Sequence, residues 1–154
     1  MTPLYPYINS VVWAMARHCM PEGWDVSDDA PETFDALQAY VAEHDRICVS
    51  SLNSERTIFG YPETNWAFRA WHDWTHIARG LPFTLAGETE TCRVQRVHFE
   101  SQYRDWHPWT RGFIGAILEC EVVEQARFKE ETGAFPEDQR AFTGEAMKRK
   151  GYTL

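Results

Sequence analysis

The chain has 154 residues, of which 15 are basic and 23 acidic, giving a formal charge of −8. That length suits one domain with a real core, and a composition 44% apolar and 25% charged is globular rather than disordered. The acidic balance argues against a protein that coats nucleic acid, because phosphate contacts need clustered lysine and arginine.

No apolar run nears the roughly 20 residues that span a bilayer, so no transmembrane segment is expected. The N-terminal stretch MTPLYPYINSVVWAMARHC carries no basic region ahead of its apolar residues, which predicts a soluble, cytoplasmic protein without a signal peptide. Cys19, Cys48, Cys92 and Cys120 are dispersed with no CxxC pair, so they are expected as reduced, mostly buried thiols.

In chain order, residues 8–19 are predicted as a helix, because Ile8, Val11, Val12, Met15 and Ala16 recur at helical spacing. Residues 22–35 are acidic and loop-like. A second helix is expected from about Pro31 to His44, burying Phe34, Leu37 and Val41. The segments 46–50 (RICVS) and 56–60 (RTIFG) are rich in strand formers and predict a small β-hairpin.

Residues 65–79 predict a helix of about four turns that ends at Gly80, with Pro82 two residues on. Residues 84–104 predict the next helix, with Thr84 as N-cap and Glu88 near the positive end. The short connection makes the two an antiparallel αα-hairpin. After an interruption at 105–112, residues 113–132 predict a further amphipathic helix, and the tail from 137 holds room for a short charged one. The expected fold is a single, mainly α-helical, bundle-like domain over residues 1–154.

Advancing 100° per residue along 65–79 puts Trp66, Ala67, Ala70, Trp71, Trp74, Ile77 and Ala78 in one apolar sector. Asn65, Arg69, His72 and His76 fall on a polar stripe, with Asp73 at its border. Two histidines at i and i+4 can direct both imidazoles at one metal ion. A third donor must come from elsewhere. In an antiparallel hairpin Glu88 stands at the height of His76 and closes on the pair. Cys92, Gln95 and Phe99 share Glu88's helical face, and the Gln95 amide can hydrogen-bond a metal ligand from behind. Asp73 is a fourth ligand or a nearby base. Arg69, one turn before Asp73, can pair with it or meet an anionic substrate.

The pattern reads HDWTHIARGLPFTLAGE, that is His72-Asp73-x-x-His76, eleven residues, then Glu88. It resembles the zinc-binding signature of the ubiquinone-biosynthesis family typified by coenzyme Q biosynthesis protein four, including the Gly80-Leu81-Pro82 turn and the Gly87-Glu88 pair. The resemblance covers residues 72–88. It implies a mostly helical protein with His72, Asp73, His76 and Glu88 as metal ligands, in a family that binds quinone-like precursors and is implicated in oxidative decarboxylation of the ring.

Other clusters read more plainly. His98 and Glu100 diverge on a helix, and His107 stands apart. Glu119, Glu121 and Glu124 predict a solvated acidic stripe, because a di-iron site wants Glu-x-x-His pairs that this chain lacks. Trp106 and Trp109 are expected at a pocket rim or a partner contact. His44-Asp45 and His18 allow, on paper, a phosphohydrolase of the HD type acting on nucleotides, which would leave His76 and Glu88 idle.

The expectation is therefore a metal-dependent enzyme of small-molecule metabolism, a lyase, decarboxylase or hydrolase. Zinc is the first metal, and iron or manganese suits the same donors. Asp73, Arg69 and Gln95 are the candidate catalytic residues. The competing reading is a non-catalytic binding module in which the metal staples the hairpin.

Overall fold

The computed structural model describes residues 1–5 and 7–152. Helix α1 (Ile8–Cys19) buries the five apolar residues its periodicity singled out, each at most 1% exposed. It lies against α3 (Pro62–Arg79), the central helix of the fold. Helix α4 (Leu85–Gln102) returns along α3 as the antiparallel partner, with Thr84 as its N-cap. The Thr84 hydroxyl accepts the Gly87 N–H at 3.1 Å, satisfying one of the otherwise unpaired donors of the first turn.

Two glycines make this hairpin possible. Gly80 ends α3 at φ +63°, a left-handed conformation open to glycine at little cost. Gly87 has no room for a side chain, since a Cβ there would stand 1.9 Å from the Pro82 carbonyl oxygen. The first turn of α4 thus rests directly on the connecting loop, and Glu88 follows at once.

Several expectations are corrected. Strand β1 (Asp25–Ser27) lies within the stretch read as loop, and it pairs in parallel with β2 (Cys48–Ser50), Val26 opposite Val49. No hairpin forms over 46–60. Residues 56–60 form no strand, and Ile58 and Phe59 instead fill the core. Parallel strands require a crossover, and α2 (Phe34–His44) supplies it. That helix begins after Thr33, whose hydroxyl caps Ala36, rather than at Pro31. It buries Leu37 fully, while Phe34 and Val41 are only half-buried.

The helix expected to start at 113 begins at Pro108, where His107 caps it through Nδ1, the acceptor for the Trp109 N–H. Its course runs through α5 (Pro108–Glu119), a π-helical segment (Cys120–Glu124) and α6 (Gln125–Thr132). Helix α7 (Gln139–Arg149) forms the tail. Phe99, Ile114, Ile117, Leu118 and Met147 join Trp71 and Phe59 in the core. No helix of the described residues is long and apolar enough to cross a membrane.

The polar stripe of α3 does not face water. His76 is 0% and Asn65 2% exposed, whereas Ala78, assigned to the apolar sector, is exposed. The reason is packing from several sides: α1 covers one flank of α3, and α4 and β2 cover others. A helix so enclosed buries its polar residues as well, provided each finds a partner.

Candidate metal centre

His72 and His76 sit one turn apart on α3, and Glu88 faces them from the first turn of α4. The two Nε2 atoms are 3.0 Å apart. Glu88 Oε2 lies 2.9 Å from His72 Nε2 and 3.3 Å from His76 Nε2. Donors bound at about 2.0–2.1 Å to one ion stand about 3.0–3.4 Å from each other, so these separations match three neighbouring positions of one coordination shell. Among the described residues, His72, His76 and Glu88 form the group of histidine and acidic side chains close enough to hold a metal ion.

The backs of both rings explain why these atoms are free to bind. His76 Nδ1 lies 2.7 Å from the Leu81 carbonyl oxygen, which can only accept, so Nδ1 carries the proton. Thr91 Oγ1 stands 3.2 Å from the same nitrogen. His72 Nδ1 lies 3.0 Å from Gln95 Oε1, with the amide oriented to accept. With both Nδ1 protons so committed, each neutral ring presents an Nε2 lone pair to the same point as a carboxylate. Three acceptors 3 Å apart repel unless a cation stands among them.

In the protein alone, a proton plays that part. Burial disfavours a charged imidazole at His72, but the Glu88 carboxylate, its hydrogen bond and Asp73 outweigh burial and raise the pKa to about 9. Glu88 moves the other way: burial would raise it, yet the two imidazoles hold it well below the usual carboxylate range.

Asp73 belongs outside the donor group. Burial, opposed by the two imidazoles, lifts its pKa to about 6. Arg69 is used elsewhere. Its guanidinium donates to the carbonyls of Ser50 at 2.7 Å, Leu52 at 2.6 Å and Asn53 at 3.3 Å, clamping the loop that follows β2. It makes no ion pair with Asp73 and no hydrogen bond to His72, His76 or Glu88, so the expected anion-binding role is replaced by a structural one. Gln95 is where the sequence put it, fully buried behind His72. Cys92 shares its face but lies outside the donor group, and burial pushes its thiol up to about 12.

Three contributors escaped the sequence. The Leu81 carbonyl sits in the Gly80-Leu81-Pro82 turn, and backbone groups leave no compositional trace. Thr91 stands one turn beyond Glu88 on the same face of α4, and that spacing is the signal that marks it. Phe83 packs edge-on against the His76 ring at 4.8 Å and against Phe34 at 5.8 Å, an aromatic wall on one side of the site. His18, His44 and Asp45 are exposed and do not join the cluster. Trp106 packs on Phe99 and Tyr103, and Trp109, 62% exposed, stacks on Phe113.

Comparisons with family models, curated proteins and solved structures return no match for this chain.

Proposed function

We propose that this chain binds one divalent metal ion, zinc first, at His72, His76 and Glu88, and uses it as an enzyme of small-molecule metabolism. The reading rests on one observation. Two imidazoles and a carboxylate converge within 3.3 Å, with both Nδ1 protons already committed to Gln95 and Leu81. Two nitrogens and one oxygen suit zinc, and three protein ligands leave a position for water or substrate, as catalytic rather than closed structural sites do. Iron or manganese fits the same set.

When bound, the ion would polarise a carbonyl or carboxylate oxygen or lower the pKa of a water. The protein's own residues set the rest. Gln95 and the Leu81 carbonyl lock the ring orientations. Glu88 lowers the net charge of the site. Asp73, one residue along from His72, is the proton acceptor beside it. Phe83 and Phe34 supply an apolar wall that suits a ring. The substrate class proposed is a carboxylated aromatic or quinone-like compound, with a decarboxylating lyase or hydrolase reaction, in keeping with the resemblance carried by residues 72–88.

A second reading has its own support. His76 is fully buried, and the ligands join consecutive helices at their shared loop, the position of a staple that stabilises the hairpin without chemistry.

Elemental analysis of untagged protein tests both. One equivalent of metal is expected, and His76→Ala should lose it. Full metal content in that variant refutes the assignment. Exchange of a metal-bound water or inhibitor anion at the loaded site supports the enzyme, and a closed site supports the staple.

A further inference from the structure

Along the α3–α4 hairpin, and lined by none of the metal ligands, lies a groove of about 500 Å³, within the range of small-molecule sites. Its apolar walls are Trp74, Leu81, Val94 and Val97, the last 55% exposed. Its polar groups are dominated by donors. Arg79 makes no ion pair among the described residues, while its neighbour Arg93 is held by both oxygens of Glu90 at 2.7 and 2.8 Å. With Arg93 and Glu90 cancelling, the groove carries the net positive charge of Arg79 in a chain of net charge −8.

His98 adds an imidazole to the same wall. Cys19 Sγ stands 3.8 Å from His98 Nδ1. Burial pushes that thiol up to about 12, so it stays protonated and is able to donate to Nδ1, in the tautomer that carries the ring proton on Nε2. His98 itself is kept in the neutral form by burial and by the neighbouring His18 and Arg79. Trp74 contributes an indole N–H with no partner among the described residues. An indole, an imidazole and a guanidinium line one apolar groove, donor-bearing groups that ask for a ligand rich in acceptors and negative charge.

We propose that this groove is a second binding site, for a small organic monoanion with an apolar body, whose carboxylate meets Arg79 and His98 while its ring or chain lies on Trp74, Val94 and Val97. The proposal is independent of the metal reading, since it draws on a separate set of side chains.

The test is calorimetric titration of the full chain with naphthalene-2-carboxylate and, in parallel, with the uncharged naphthalene-2-carboxamide. The carboxylate is expected to fill the groove at one equivalent, separate from any taken up at the metal centre, and at least about tenfold tighter than the amide, the worth of one charge-assisted hydrogen bond. Arg79→Gln, at an exposed position, should remove that equivalent's preference, and His98→Phe should weaken it. Equal affinity of the groove for acid and amide, or full binding by Arg79→Gln with an unaltered circular dichroism spectrum, overturns the proposal. Loss of the Arg79-dependent equivalent in Glu88→Gln also overturns it, by placing the ligand at the metal centre.

Discussion

Two glutamates point into this protein from helices, and they end in opposite states. Glu88, on α4, meets two imidazoles within 3.3 Å and is held ionised far below the ordinary range. Glu121, in the π-helical segment, is 7% exposed and takes its hydrogen bonds from neutral groups, with the Arg69 guanidinium adding the weakest pull. Thr143 donates to it at 2.5 Å, and the Gln125 amide helps, but burial prevails and lifts its pKa to about 7. Burial pushes both carboxyls the same way. What separates them is how close positive charge stands: two imidazoles touch Glu88, whereas Glu121 feels only the more remote Arg69. A buried acid is thus a sign of a metal site when other lone pairs converge on it, and a structural proton holder when hydroxyls and amides surround it.

Glu88→Gln should break the contrast most severely. Removing one ligand from a site whose binding is worth ~10–16 kcal/mol over about four ligands should weaken zinc by more than about 100-fold, read by competition with a chromophoric chelator. Glu121→Gln should leave zinc binding intact and change stability instead. The folded-state pKa of about 7 lies above the ordinary 4.5, so the folded protein retains a proton that the unfolded chain releases. The stabilisation is fully present below pH 4.5 and is lost as the pH rises to 7. Glu121 should contribute a fall of up to about 3 kcal/mol across that window in urea titrations of the wild type, on top of the fall that Asp73, lifted from 3.8 to about 6, adds. The glutamine variant should lose Glu121's share, keep that of Asp73 and be the more stable protein at pH 8, and a slope equal to the wild type's would assign all of it to other groups. The smallest effect sharpens the positional side of the comparison. Thr84→Ala removes the cap of the helix that carries Glu88 and should lower stability by ~1 kcal/mol, with a modest loss of zinc affinity and an unchanged response at Glu121.

The hairpin that builds the centre was legible because its signals are local. Histidines four apart must share a helix face, Gly80 and Pro82 stop one helix, and Thr84 starts the next. Gln95 followed from the same periodicity. The features that went unread depended on distant partners. Arg69 sits on the correct stripe, yet three carbonyls, one at the end of β2 and two in the loop after it, claim it. Glu121 reads as part of an exposed acidic stripe at 3.6 residues per turn. A π-helical turn inserts an extra residue and shifts the phase of the residues beyond it, and α7 then covers the carboxyl through Thr143.

The sequence by itself determined the local geometry: which segments coil, where they stop, and that His72, His76 and Glu88 share one height on adjacent helices. The tertiary structure decided what each polar group does. It turned the polar stripe of α3 inward, paired Asp25–Ser27 with Cys48–Ser50 in place of a hairpin, and set Gln95 and the Leu81 carbonyl behind the imidazoles. The physical reason is range: helical periodicity and capping act within a few residues, whereas desolvation and hydrogen-bond satisfaction depend on whichever groups the rest of the chain brings alongside.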